Sequence, residues 1–216
     1  MAKIDPIRRA EIGREKRLRT RAQLVAAASA LFSRQVAETV TVDDVVKEAG
    51  LAKGTFYVHF ESLDALTSAV ADDLVRSFDE LLQPVRLSMD DPAKRIAFGC
   101  GAFLDKALDD PQWATMVARM VSGAPKGAES ARQRLIEDVS LVIRDLEGSP
   151  ASAELNAIVV FGIMLQVVRG IGEGQVSASD RPQILRAILR AIGLGTDRVN
   201  GILAQVPGQL SVVKTA

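Results

Sequence analysis

Residues 41–60 of the chain, TVDDVVKEAGLAKGTFYVHF, decide the fold of its N-terminal part. Thr41 is a typical N-cap residue, because its hydroxyl can accept a hydrogen bond from a backbone N–H one turn into a helix. Asp43 and Asp44 place negative charge at the positive end of the helix dipole, and Gly50 can take the left-handed conformation that ends a helix. The stretch predicts two short helices joined by a tight turn, an arrangement that suits the major groove of DNA.

The same residues resemble the TetR family of transcriptional regulators. The likeness follows the pattern T-V-x-x-V-x-x-x-A-G-L-x-x-G-T-F-Y-x-H-F and extends to Leu24–Phe32 before it and Ser62–Leu66 after it, roughly the first third of the chain. The resemblance implies an all-helical homodimer. In such a protein, a small molecule bound by the C-terminal domain changes the affinity of the N-terminal domain for operator DNA.

The composition favours a helical protein with a basic end. Of the 216 residues, 48% are hydrophobic and only 4% aromatic, a balance that suits helices of Ala, Leu, Val and Ile better than sheets. The net charge is zero, yet residues 1–60 contain eleven Lys and Arg against seven Asp and Glu. This local excess of positive charge favours a localised contact with nucleic acid.

Several sequence features bear on where the protein works. Cys100 is the single cysteine, which excludes an internal disulfide and suits a reducing compartment. The N-terminus is charged and lacks the apolar core of a signal peptide. The longest apolar run, residues 157–168, is shorter than the roughly twenty residues that a membrane span needs. We expect a soluble, cytoplasmic protein with no membrane partner.

Hydrophobic periodicity and the residues that start and stop helices predict an all-α protein of about nine to ten helices. A helix-turn-helix DNA-binding domain is expected over residues 17–77, its first helix running to about Gln35. A helical ligand-binding and dimerisation domain is expected over residues 78–206. Residues 1–16 and 207–216 are expected to be flexible tails.

Caps and prolines mark the individual helices. Asp90-Asp91-Pro92 and Asp109-Asp110-Pro111 each predict a capping aspartate followed by a proline at the first helical position. A long helix is expected from Ser62, as its cap, to about Gln83, where Pro84 ends or bends it. Its inward stripe is expected to consist of Leu63, Leu66, Val70, Leu74, Phe78 and Leu81. A loop is expected over 122–129, and Ser149-Pro150 is expected to open the next long helix.

That helix, over about 150–172, is apolar almost all the way round between Ala157 and Val168, which predicts burial on more than one side. Together with a helix over 181–194 it could pair with its copies in a second chain as a four-helix interface. The family resemblance implies the same arrangement. We therefore expect a homodimer.

The candidate DNA contacts lie on the second motif helix, at Thr41 before the first motif helix, and in the basic stretch from Arg8 to Arg21 before the motif. Lys53 suits a phosphate or a guanine edge, Gly54 lets the backbone approach closely, and Thr55 offers a hydroxyl and a methyl group. The resemblance adds Tyr57 and His59 as positions that contact the DNA backbone. The expected set is Arg17, Arg19, Arg21, Thr41, Lys53, Gly54, Thr55, Tyr57 and His59. A solvated surface is the alternative reading of the basic stretch.

Two positions depart from the family pattern. Ala52 stands where many members have Ser or Thr and cannot cap the second motif helix with its side chain. Leu63 stands where a lysine is common, so one expected phosphate contact is missing. Both changes leave the fold expectation intact and make the basic stretch before the motif more important for binding.

The candidate ligand site is expected among the large apolar groups of the second domain. The set is Phe98, Phe103, Trp113, Met116, Met120, Phe161, Met164 and Arg169. Trp113 is the leading candidate, and ordinary core packing is the alternative for each of them. Few charges fall on the inward stripes, and Arg169 beside Gln166 is the exception, an anchor for an acidic ligand or a dimer contact.

The sequence thus favours a repressor that binds palindromic operator DNA as a dimer and is released by a small apolar or amphipathic molecule. The alternative is a DNA-binding regulator without a small-molecule ligand, whose C-terminal domain serves protein contacts or activation. An enzyme is the weakest hypothesis, since no catalytic constellation, dinucleotide fingerprint or P-loop is present. His59 is the only histidine, and no metal site or cofactor is predicted.

Overall fold

The computed structural model describes residues 6–35, 39–123, 129–146 and 151–206, and these ranges contain ten α-helices and no strand. The all-α expectation is confirmed. The helices are α1 Pro6–Phe32, α2 Val42–Ala49, α3 Lys53–His59, α4 Leu63–Leu87, α5 Pro92–Asp109, α6 Pro111–Gly123, α7 Glu129–Asp145, α8 Ala151–Gly172, α9 Arg181–Ala191 and α10 Thr196–Gln205. A short 3-10 turn, Ala178–Asp180, precedes α9.

The chain forms two compact units, which divide after Val70, inside α4. The sequence placed the boundary in the same helix, between residues 77 and 78. The N-terminal unit ends at Val70 and is built on α1, α2 and α3. The C-terminal unit begins at Ala71 and contains the rest of α4 and the six helices that follow.

The core of the N-terminal unit comes from the apolar stripes that the sequence shows. Its buried members include Leu24, Val25, Ala28, Phe32, Val45, Val46, Phe56, Phe60 and Leu66. The Nε2 amide of Gln23 in α1 donates to the carbonyl of Ala49 at 2.7 Å. That carbonyl lies at the end of α2, where no helical N–H remains to pair with it, so α1 completes the end of α2.

In the C-terminal unit, α5 packs against α6, α7, α8 and α9, while α8 also packs against α6 and α7. The fully buried side chains include Leu104, Met120, Val139, Leu185, Ile188 and Leu189. The predicted aspartate caps are confirmed. Asp91 accepts from the backbone N–H of Ala93 at 2.9 Å, and Asp110 accepts from that of Trp113 at 3.0 Å.

The structure corrects the predicted start of α1. The helix begins at Pro6 instead of Arg17, so the expected loose arm is wrong for residues 6–16. A proline at the first helical position loses no hydrogen bond, and the Arg, Glu, Lys and Ala that follow are good helix formers. The remaining tail residues, 1–5 and 207–216, lie outside the described part of the chain.

The structure also corrects α4. The helix continues through Pro84 to Leu87, because a proline in the last turn removes only one helical hydrogen bond. Leu81, expected inside, is 54% exposed, whereas Val75 and Leu82 are buried instead. Ser62 caps the helix as predicted, accepting from the backbone N–H of Ala65 at 3.1 Å. The predicted 122–129 loop falls largely, and the Ser149-Pro150 cap entirely, outside the described residues.

Candidate DNA interface and ligand cavity

Both ends of α2 are built as the sequence predicts, and Asp44 takes part in the cap together with Thr41. Thr41 and Asp44 form a capping box, in which the Asp44 N–H donates to the Thr41 hydroxyl at 3.2 Å and the Thr41 N–H donates to the Asp44 carboxylate at 2.9 Å. The Thr41 hydroxyl also donates to the Asp44 carboxylate at 2.6 Å, and this hydrogen bond, followed by the one from the Thr41 N–H, lowers the pKa of Asp44. Gly50 has a φ of 65°, and Leu51 N–H donates to the Val46 carbonyl at 2.9 Å. The start and end of α2 are therefore fixed by local hydrogen bonds.

Helix α3 presents one buried and one open face. Phe56 is completely buried. The opposite face contains Lys53, Gly54, Tyr57 and Val58, which are all exposed. The spacing i, i+1, i+4, i+5 places these four on a single strip of the helix. The sequence analysis did not single out Val58. Its position four residues after Gly54 and next to Tyr57 could have placed it on the same strip of the helix.

Two of the three remaining predicted contacts on the motif are less open. Thr55 and His59 are half-buried, whereas Thr41 is exposed. Ala52 occupies the N-cap of α3 and makes no side-chain capping bond, as its sequence implies. The first N–H groups of α3 therefore have no side-chain acceptor at the N-cap, and the Thr55 N–H donates to the Ala52 carbonyl at 2.9 Å.

Two sets of charges surround α3. The Lys53 amine lies 2.9 Å from Asp43 Oδ1, and this pairing raises the pKa of Lys53. At the other end, Arg17 donates to the Val58 carbonyl at 3.4 Å and the Arg21 guanidinium lies 5.0 Å from the Phe60 ring centroid. Burial, and then the charges of Arg17 and Arg21, lower the pKa of His59, so its ring is neutral at pH 7.

The structure thus brings Arg17, Arg21 and His59 together. Arg19 is exposed and lies on a different side of α1, since residues two apart on a helix point in nearly opposite directions. The predicted DNA contacts are consequently not one surface. Lys53, Gly54 and Tyr57 lie on the α3 strip, Arg17, Arg21 and His59 form a second group, and Thr41, Thr55 and Arg19 belong to neither.

A cavity of about 120 Å³ lies inside the C-terminal unit. Its apolar walls come from α4, α5, α6, α7 and α8, and they include Val75, Phe78, Leu82, Ile96, Phe103, Val117, Leu135, Val160, Phe161, Met164 and Val168. Cys100 also lines it, and burial raises the pKa of this thiol to about 12. The cysteine therefore carries no charge at neutral pH.

Three of the eight predicted ligand-site residues line this cavity: Phe103, Phe161 and Met164. Trp113 lies behind the wall, with its ring centroid 4.9 Å from that of Phe103. The other four are elsewhere. Phe98 and Met120 are buried, Met116 is half-buried, and Arg169 is exposed on α8.

The cavity also has charged lining residues that the sequence analysis missed. Arg86 donates to Asp79 at 2.9 Å and to Asp138 at 2.7 Å, and Arg95 donates to Asp138 at 2.8 Å. The expectation that Arg169 is the exceptional inward charge is therefore wrong. A signal was present in α4, where Val75, Asp79, Leu82 and Arg86 share one face at helical spacing.

Helix α8 has an open apolar face. Leu155 is 61% exposed, Ile158 55% and Val159 40%. The segment Ala153–Gly172 is long and apolar enough by length and composition to cross a bilayer, and 28% of it is buried within the chain. The sequence predicted that this helix is buried on more than one side. In a single chain, Leu155, Ile158 and Val159 do not meet that prediction.

The chain was compared with known families and proteins. Residues 24–70 match the model of the bacterial regulatory proteins of the tetR family. A curated relative from Bacillus subtilis, the uncharacterized HTH-type transcriptional regulator YvdT, is 38% identical over 53 residues, which cover 24% of this chain and 27% of that protein. The HTH-type transcriptional regulator EthR from Mycolicibacterium smegmatis is 28% identical over 109 residues, half of each chain. The chain thus spans half or less of the length of these curated relatives.

Solved structures extend the likeness to nearly the whole chain. The structure of RolR in complex with the ligand resorcinol matches with a TM-score of 0.72 at 23% identity, over 89% of this chain and 97% of RolR. At that identity the match establishes a shared fold. It covers both units, so the helical C-terminal unit has a solved counterpart.

Proposed function

We propose that the chain is a transcriptional regulator of the TetR family that binds operator DNA through α3, because residues 24–70 match the model of that family of bacterial regulatory proteins. The observation that carries the proposal is the open strip of Lys53, Gly54, Tyr57 and Val58. A small residue flanked by a cation and a phenol suits close approach to a groove and contact with phosphates. Regulation of transcription in the cytoplasm, where the DNA is, belongs to the same proposal.

The chain acts as a dimer in this proposal. Its apolar α8 face, with Leu155, Ile158 and Val159 exposed, resembles half of an interface more than a solvated surface. Pairing of α8 and α9 with their copies would bury that face and join two α3 helices to the half-sites of a palindrome, spaced by about 34 Å or a multiple. A membrane-spanning α8 is the competing explanation of the same apolar face. It is disfavoured because α6 and α7 pack against this helix.

A small molecule in the cavity would control DNA binding. The RolR structure contains resorcinol, and the shared fold supports a ligand role for the cavity of this chain. A ligand that prefers one spacing of the two α3 helices shifts the population toward it. A coupling of about 1–3 kcal/mol between the two sites is sufficient for regulation. Release from DNA by the ligand, and thus a repressor, is the form that we propose.

The test is DNA binding by Lys53→Ala as a function of salt, using a fragment that contains the upstream region of the gene itself. We expect weaker binding and a shallower salt dependence, because one phosphate contact fewer releases fewer counterions. Arg132→Ala is the matched control. It removes one positive charge from an exposed ion pair with Glu129 in the C-terminal unit. Equal affinity of Lys53→Ala and the unaltered protein at all salt concentrations would reject α3 as the DNA-binding helix.

A further inference from the structure

The charged end of the cavity indicates the class of ligand that it takes, an inference that rests on the proposed ligand role of the cavity. Asp138 accepts from Arg86 and Arg95 at 2.7 and 2.8 Å. Asp79 accepts from Arg86 at 2.9 Å and forms an ion pair with Arg134. Each carboxylate is thus held by two guanidiniums. Three guanidiniums against two carboxylates leave this cluster with one excess positive charge.

The cluster offers donors to a ligand. Both oxygens of Asp138 accept from arginines, and both oxygens of Asp79 lie against Arg86 or Arg134. Among the described residues, the buried Nε of Arg86 and the Nε and one terminal nitrogen of Arg134 have no hydrogen-bond acceptor, and Asp79 Oδ2 has an ion pair but no hydrogen bond. Arg86 lines the cavity. A ligand oxygen that only accepts would take hydrogen bonds from the arginines that line the cavity and neutralise the excess charge, whereas a neutral hydroxyl would leave that charge uncompensated.

The size and the walls of the cavity limit the rest of the ligand. Its volume of about 120 Å³ is close to that of an engineered cavity of about 150 Å³ in another protein that holds benzene. Phe78, Phe103 and Phe161 line it, and the first two meet edge to face at 5.7 Å. A flat ring can join such an arrangement with its edge or face. A single ring fits within this volume, whereas most of a long acyl chain would extend beyond it.

We propose that the ligand is a single-ring aromatic carboxylate. Its ring lies against the phenylalanines of the cavity, and its carboxylate accepts from the Arg86 and Arg95 end. Because the anion compensates the excess charge in a largely buried site, the interaction is stronger than the same contact at a surface.

The test measures binding of benzoate to the full chain, by calorimetry and by thermal shift, without DNA. Benzoate is compared with toluene, which lacks the charge, acetate, which lacks the ring, and phenol, which carries a hydroxyl. We expect benzoate to bind and to raise the melting temperature, and each of the other three to bind at least about tenfold more weakly. Tighter binding of phenol or toluene than of benzoate would overturn the proposal, and so would no binding of benzoate.

Two variants locate the binding. Arg95→Met removes the excess charge and leaves Asp138 paired with Arg86, and we expect it to weaken benzoate binding about tenfold. Arg132→Met, from the exposed pair with Glu129, is its control.

Gly99 lines the cavity, and a Cβ there has no neighbour within 4 Å. Gly99→Leu should therefore fill the cavity and abolish benzoate binding in a folded protein. Unchanged affinity in both Arg95→Met and Gly99→Leu would place benzoate elsewhere and overturn the proposal.

A gel shift separates this inference from the proposed function. Benzoate that binds in the cavity but leaves the protein on DNA would support the ligand class and contradict ligand control of DNA binding. Release from DNA by a neutral apolar compound, with no effect of benzoate, would support ligand control and overturn the ligand class.

Discussion

Lys53, the cation at the start of the α3 strip, forms an ion pair with Asp43. The Lys53 amine lies 2.9 Å from Asp43 Oδ1 and 3.0 Å from Oδ2, and both side chains are more than half exposed. An exposed pair of this kind is weak, so DNA phosphate can compete for the lysine. Asp43 nevertheless opposes DNA in two ways, by holding Lys53 and by adding a negative charge beside the groove.

We therefore expect Asp43→Asn to tighten DNA binding by roughly two- to fivefold at low salt, with the gain fading as salt rises. Fluorescence anisotropy with labelled operator DNA measures this. Glu48→Gln is the control, because it changes the net charge equally but releases Arg34 instead of Lys53. If Asp43→Asn binds more weakly than Glu48→Gln, Asp43 positions Lys53 for DNA instead of competing with it.

At the scale of the element, the end of α8 depends on the absence of a side chain. A Cβ at Gly172 would overlap the Thr115 hydroxyl and lie 3.1 Å from the Cα and backbone N of that residue in α6. Backbone atoms in the middle of a helix cannot move aside cheaply. The glycine at the C-terminal end of α8 therefore allows α6 and α8 to pack closely.

Gly172→Ala should destabilise the chain by about 1–3 kcal/mol through overpacking, measured by urea unfolding. Gly201→Ala is the matched control in the same unit. Gly201 lies in α10 with no atom within 4 Å of its ideal Cβ, so alanine there should stabilise by about 0.5–1 kcal/mol through helix propensity alone. Stabilisation by both substitutions would mean that α6 and α8 are further apart than described.

At the scale of the whole molecule, the apolar face of α8 links assembly to DNA binding. In a dimer, two half-site contacts act together, so the loss of dimerisation costs far more affinity than the loss of a single contact. Ile158 belongs to the exposed face together with Leu155 and Val159 and is 55% exposed. It is therefore the position where a charge should separate the two copies.

We expect Ile158→Glu to be a folded monomer by sedimentation and to bind operator DNA at least about tenfold more weakly. Leu81→Glu is the control, because Leu81 on α4 is 54% exposed, against 55% for Ile158. Reduced partitioning into lipid vesicles with unchanged oligomeric state would instead favour insertion of α8 into a membrane.

Local chemistry explains what the sequence could predict. Thr41, Gly50, Asp91 and Asp110 act on backbone groups within a few residues of themselves, so their roles follow from the sequence alone. The departure at Ala52 is equally local. The continuous helix before the motif was missed because Pro6 reads either as a helix start or as part of a loose arm, and only the observed backbone separates the two.

The sequence by itself determined the helical class, the two-helix motif, most helix starts and the basic character of the N-terminal unit. The tertiary structure decided the cavity and its charged cluster, because both form only where residues distant in the sequence meet. Asp79, Arg86, Arg95 and Asp138 come from three helices and form one cluster beside an apolar cavity, while Trp113 lies behind its wall. Helical periodicity shows that a residue faces inward, but the packing of other helices determines what that residue meets.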